Sequence, residues 1–214
     1  MQKRHKVAPE PYFNSPKEKA MAKTFPDRQF GVKGLEVTLV IRPNITTLPG
    51  EVIISAIDSD GNDADFTGRQ IRRSAGVVFH EALRDSGAFD IPRPHGFVHL
   101  ADKEYRNDLV FGHCLFVVDE RARDPRTAIT NALSFADSRG FKSVIMPAFR
   151  MNAETDSDTR SISESSNATV GGIVSFAKKQ LEKTRTITVV LSGPNPQIIQ
   201  QTYLTLVFDL ERSR

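Results

Sequence analysis

A chain of 214 residues, 39% hydrophobic and 26% charged, has the proportions of a globular protein and the length for one sizeable core. Its only cysteine, Cys114, excludes an internal disulfide framework and a multi-cysteine zinc site, and no apolar run approaches the ~20 residues that cross a bilayer. The formal charge of +3 is unevenly placed: residues 1–34 carry eight basic and three acidic side chains, a net +5, which leaves −2 for the rest.

That basic N-terminal extension, residues 1–34, is cut into short pieces by Pro9, Pro11, Pro16 and Pro26. Two readings stay open for it. Its charge suits nucleic acid or another acidic partner. Alternatively it is a solvated arm whose aromatic residues Tyr12, Phe13, Phe25 and Phe30 dock on the body. With no apolar signal core at the start, the expectation is a soluble, cytoplasmic protein with no membrane partner.

From residue 35 onward strand and helix signals alternate. LEVTLVI (35–41) and EVIISAI (51–57) are rich in β-branched residues and bounded by Pro43, Pro49 and Gly50, which predicts two strands. Residues 67–86 predict one helix, because Ile71, Ala75, Val78, Phe79, Ala82 and Leu83 recur at spacings of three and four. A loop with Pro92, Pro94 and Gly96 leads to a short strand around FVHL and a longer one in DLVFGHCLFVVD. Cys114 lies in that strand, as a buried inert thiol.

TAITNALSFADSRG has helical spacing and ends at Gly140 as a C-cap would. KSVIMPA then predicts a strand, ATVGGIVSFAKKQLEKT a helix, TITVVLSG a strand, and PQIIQQTYLTLVFDLE a closing helix with proline at its start. Strands without alternation, separated by helices, indicate a mostly parallel sheet covered on both faces. Such sheets bind ligands beyond the carboxyl ends of their strands. The loops at 42–50, 58–68, 148–168 and 192–197 are therefore the candidate site. There is no internal repeat.

The longest loop, FRMNAETDSDTRSISESSN, is long enough to signal function or disorder. Ser161, Ser163, Ser165, Ser166 and Asn167 either offer hydroxyls and a helix N-cap to an anion, or form a solvated surface that can be phosphorylated. Neither a catalytic triad nor metal spacing is found among His5, His80, His95, His99 and His113, and no metal or cofactor is expected.

The run PNITTLPGEVIISAID, then GRQIRRSAG, then FKSVIMPAF resembles the macro domain, an ADP-ribose-binding module. The resemblance covers roughly residues 35–210. It implies an α/β, three-layer α/β/α fold with a mixed, mostly parallel sheet over residues 35–214, and ADP-ribose or a related nucleotide as ligand. The family's Gly-Asp-Ile-Thr, whose aspartate holds the adenine amino group, matches Pro43, Asn44, Ile45 and Thr46, so Asn44 keeps an acceptor without the charge. Its Asn-Ala-Ala-Asn matches Ser55, Ala56, Ile57 and Asp58, and Asp58 is the one well-placed carboxylate for the distal ribose or for catalysis.

The glycine-rich segment that wraps the diphosphate aligns with Asp65, Phe66, Thr67, Gly68, Arg69, Gln70 and Ile71 and retains only Gly68. That glycine stands where several hydrolases carry a catalytic aspartate. Arg69, Arg72 and Arg73 either supply charge there or pair with Asp63 and Asp65. The second phosphate loop, Pro-Ala-Ile-Ser-Thr-Gly, matches Pro147, Ala148, Phe149, Arg150, Met151 and Asn152. Either Arg150 reaches a phosphate, or Phe149, Arg150 and Met151 fill the groove. The functional expectation is a binder of ADP-ribose or a related nucleotide whose hydrolase activity has diverged or been lost. Its alternative is a non-catalytic module binding nucleic acid or protein with the cleft filled.

Overall fold

The computed structural model describes residues 25–64, 66–75, 78–102, 109–120, 122–151, 159–179 and 182–214. Seven strands, β1 (Arg28–Val32), β2 (Leu35–Ile41), β3 (Gly50–Ile57), β4 (Val98–Asp102), β5 (Phe111–Val118), β6 (Ser143–Pro147) and β7 (Thr186–Leu191), form one sheet in the order β1-β2-β7-β6-β3-β5-β4. The five inner strands run parallel, and the edge strands β1 and β4 pair antiparallel with β2 and β5. The β-branched runs fill this interior because a strand covered on both faces needs apolar side chains pointing both ways.

Five helices lie on the two faces: α1 (Phe66–Ala75), α2 (Val78–Asp85), α3 (Pro125–Ser138), α4 (Thr159–Ala177) and α5 (Pro196–Glu211). Alternate residues of β3 show the layering. Val52, Ile54 and Ala56 join Ile129, Leu133, Ile173 and Leu206 of α3, α4 and α5 in one cluster. Ile53 and Ile57 face the other way, onto Ile71, Phe79 and Leu83 of α1 and α2. The architecture is thus the three-layer α/β/α expected.

Local chemistry sets the element ends. Asp124 and Asn195 cap α3 and α5 with their side chains, each followed by proline in the first turn. Past α3, Gly140 adopts a φ of 88° while the Phe141 N–H returns to the Ala136 carbonyl at 3.1 Å, so glycine supplies the left-handed residue that closes the helix. Lys33 and Gly34, with φ of 47° and 90°, make the two-residue turn between β1 and β2.

The stretch 67–86 expected as one helix is helical over α1 and α2, and residues 76–77 between them lie outside the described residues. Other expectations are corrected. The helix expected from Ala168 begins earlier, at Thr159, so the long polar loop is shorter and Ser163 to Asn167 are helical. Serine disfavours helix interiors because its hydroxyl competes for backbone partners. Here tertiary bonds occupy those hydroxyls: Ser165 donates to the Phe149 carbonyl and Ser166 to Asp209 Oδ2 at 2.7 Å. Both are fully buried, so neither presents a hydroxyl to an anion as the loop reading had it.

Sheet structure also begins before residue 35, since β1 lies within the basic segment. Phe30 is buried in the core, and Phe25 packs edge-on against Tyr203 at 5.3 Å between centroids. Tyr12 and Phe13 lie outside the described residues. Among the described residues no helix is long and apolar enough to cross a membrane.

Candidate ligand-binding site

The parallel strands all deliver their carboxyl ends to one side of the sheet, where the loops after β2, β3, β5, β6 and β7 meet. Asn44, in the loop after β2, caps a single 3-10 turn over Ile45–Thr47. Its Oδ1 accepts from the Thr46 N–H at 3.0 Å and from Thr46 Oγ1 at 2.8 Å. Its Nδ2 donates to Ser74 Oγ of α1 at 3.0 Å. The acceptor expected for adenine is therefore committed to the turn, and Ile45 is a core side chain.

Helix α1 makes a second crossing of the same loops one turn earlier. Gln70 Nε2 donates to the Pro43 carbonyl at 2.6 Å, and Ser192 Oγ, just past β7, donates to Gln70 Oε1 at 3.2 Å. A carbonyl only accepts, so the amide's orientation is fixed.

Ser55 sits inside β3, on the α1 and α2 side of the sheet. It is fully buried, and its hydroxyl has no hydrogen-bond partner among the described residues. Asp58 follows the end of β3, and its carboxylate builds the next turn: Oδ1 accepts from the N–H groups of Asp60 at 3.0 Å and Asn62 at 2.8 Å, while Asn62 Nδ2 reaches Oδ2 at 3.1 Å. This is an Asx-type arrangement, in which the side chain replaces a backbone acceptor.

Asp63 is the electrostatic centre of this loop. His80 Nε2 of α2 lies 2.7 Å from its Oδ1 and Arg72 Nε of α1 lies 2.9 Å from its Oδ2. Burial pushes the Asp63 carboxyl up, but the His80 hydrogen bond and the charges of His80, Arg72 and Arg69 outweigh it and hold the group below its ordinary range. Gly68 leaves room for the same carboxylate: a Cβ there would stand 2.9 Å from Asp63 Oδ1, so a larger residue would press on it. Arg72 thus pairs with Asp63, as one of the two sequence readings had it, and Asp65 lies outside the described residues. Nearby Cys114 is a buried strand residue whose thiol is pushed up by burial and by the Asp63 charge, so it stays protonated.

At the tips of β5 and β6 a third tie forms. Arg150, with a left-handed φ of 56°, forks onto Asp119: Nε donates to Oδ2 at 2.9 Å and Nη2 to Oδ1 at 2.5 Å, with a further bond from Nη2 to the Glu120 carbonyl at 2.6 Å. The Asp119 side chain is 5% exposed. His95 closes the group from the side, Nε2 donating to the Asp124 carbonyl at 2.9 Å and Nδ1 accepting from the Glu120 N–H at 3.1 Å. Because Nδ1 is an acceptor there, its 3.8 Å approach to Asp119 is a contact of a neutral ring rather than an ion pair.

Phe149 is fully buried in the α3–α5 cluster, and Met151 packs against that cluster. Asn152 lies outside the described residues. Two clefts flank the strand ends. One, about 750 Å³, runs between the start of α3, α4 and the end of α5 and includes Arg126, Arg150 and Gly171. The other, about 360 Å³, lies between the Asp58–Asp63 turn and α2. Of the sequence-predicted site residues among those described, Arg150 and Asn167 line the first cleft and Arg72 the second. Among the described residues no cluster of three or more histidine, cysteine or acidic side chains could hold a metal ion.

Sequence reasoning placed Ser192 in the candidate loop 192–197 without its partner, and it gave no site role to Ser74, Asp119 or His80. Of these three Asp119 left a signal, as a carboxylate ending the apolar run FVVD.

No family model matches the chain, and no curated protein matches it. Solved structures do. The Oceanobacillus iheyensis macrodomain with ADP aligns at a TM-score of 0.69 and 14% identity, covering 87% of this chain and 98% of that one. A mutant of it with ADPR aligns at 0.69 and 15%, covering 87% and 100%. The Trypanosoma brucei macrodomain in complex with ADP-ribose aligns at 0.60 and 18%, covering 80% and 68%. The protein has the macrodomain fold.

Proposed function

We propose that the protein binds ADP-ribose or a related nucleotide at the carboxyl ends of its parallel strands, and that it does so without hydrolysing the ligand. The observation that carries this reading is the likeness, over most of the chain, to macrodomain structures holding ADP, ADPR and ADP-ribose. Hydrolysis is left out on chemical grounds. It needs a carboxylate free to orient a water at the anomeric carbon. Asp58, the sequence candidate, spends Oδ1 on two backbone N–H groups and Oδ2 on Asn62, so its role is to shape the loop. Gly68 offers no side chain in its place.

A second reading has its own support. Asn44, Gln70, Asp58 and Arg150 are all bonded within the chain, which favours an interaction module with a filled cleft whose partner is nucleic acid or an acidic protein. Calorimetric titration with ADP-ribose, AMP and a short oligonucleotide at two salt concentrations separates the two. Saturable ADP-ribose binding that weakens in Asn44→Ala, with no turnover, supports the first. Heat with the oligonucleotide alone, falling steeply with salt, supports the second.

A further inference from the structure

Gln70 is a side chain of α1 that links the loops just past β2 and β7. Its amide gives a donor to the Pro43 carbonyl and takes the Ser192 hydroxyl on its acceptor. Pro43 and Ser192 begin the loops that leave β2 and β7, and Ser192 is only 4% exposed. The amide therefore occupies the polar groups that these two loops hold at the carboxyl ends of the strands.

The edge it presents has a chemical meaning. A 6-aminopurine shows the same adjacent pair, an N–H donor beside a ring-nitrogen acceptor. A carbonyl such as that of Pro43 suits the amino group, and a hydroxyl such as that of Ser192 suits the ring nitrogen. Hydroxyls donate or accept as needed, whereas the Pro43 carbonyl only accepts, so the pair discriminates. A 6-oxopurine puts an oxygen against the Pro43 oxygen and leaves the carbonyl unpaired.

We propose that the Gln70 amide is an internal stand-in for the base of a 6-aminopurine nucleotide, occupying the donor and acceptor that Pro43 and Ser192 would offer it, and that it thereby sets both affinity and base choice. This inference rests on the nucleotide-binding reading above. The ligand enters by displacing the amide, and the free-state bonds of Gln70 are lost from the gain on binding. Helix α1 stays in place meanwhile, because Ser74 holds Asn44 one turn further on.

The test compares the full chain with Gln70→Ala by calorimetry, using AMP, inosine monophosphate and ADP-ribose. Gln70→Ala binds AMP and ADP-ribose at least tenfold more tightly than the unaltered protein and prefers AMP to inosine monophosphate. Adding Ser192→Ala removes that gain. Equal affinities in the unaltered protein and Gln70→Ala overturn the inference while leaving nucleotide binding intact, and absence of binding in both overturns the two together. Should Gln70→Ala fail to fold, the side-chain amide resonances of Gln70 in the unaltered protein decide: they shift on titration with AMP, and unchanged resonances at saturating AMP sink the proposal.

Discussion

His80 Nε2 lies 2.7 Å from Oδ1 of Asp63, and both side chains are 9% exposed. A carboxylate so placed is worth most while ionised. Its pKa in the fold is below the ordinary 3.8, so it stabilises the fold above that value, and the contribution is lost as the pH falls through the folded value. Asp63→Asn should lower stability at neutral pH by about 1–3 kcal/mol and flatten the loss of melting temperature on acidification below about pH 4. Melting curves from pH 7 downward check this; an unchanged acid slope in the variant would show that Asp63 is not the responsible group.

The Arg150 fork makes a different prediction. Its removal strands a carboxylate that is 5% exposed, and breaking such a pair costs about 3–5 kcal/mol. Arg150→Lys should recover only part of this, since an ammonium cannot fork onto both Asp119 oxygens and also reach the Glu120 carbonyl. Urea denaturation of both variants measures the difference, and full recovery by lysine would mean that charge alone matters there.

Asp137, near the end of α3, accepts from the N–H groups of Glu182, Lys183 and Thr184 at 3.0, 2.8 and 2.6 Å. Burial pushes its carboxyl up, yet these three bonds outweigh it and hold the pKa below the ordinary range. Asp137→Ala leaves the donors ahead of β7 without a partner and should cost about 1–3 kcal/mol, with Asp137→Asn intermediate. Hydrogen exchange at Thr184 is the local readout, and it should accelerate in both.

Two glycines are expected to respond in opposite directions. A Cβ at Gly172 would stand 2.6 Å from Ile129 Cβ, so Gly172→Ala must part α4 from α3 and should cost about 1–3 kcal/mol. Gly31 has nothing within 4 Å of its Cβ position, and Gly31→Ala should be neutral or stabilise by about 0.4–1 kcal/mol. Equal losses at both would show that the space at the Cβ position does not decide.

Much of the fold was legible because apolar periodicity is a local signal. LEVTLVI coincides with β2 and PQIIQQTYLTLVFDLE with α5. The start of α4 was not legible, because its serines are satisfied by Phe149 and Asp209, far away in the sequence. The site was legible only as a set of loops. Which polar groups are spent inside them depends on pairs such as Gln70 with Ser192, 122 positions apart, and no local pattern announces such a pair.

The strand order has a consequence for how the chain assembles. β1 and β2 meet across a two-residue turn, and β3, β5 and β4 form a second patch, but these patches do not touch each other. β6 and β7 enter between them, with β6 pairing β3 at Val52 and Val144 and β7 pairing β2 from Glu36 onward. A nascent chain that has not yet reached Ser143 therefore holds two separate pieces of sheet with unpaired inner edges, the kind of surface that invites other chains. Residues 143–191 are the wedge that joins them, so the loops at the carboxyl ends of the strands come together only once β7 has been made.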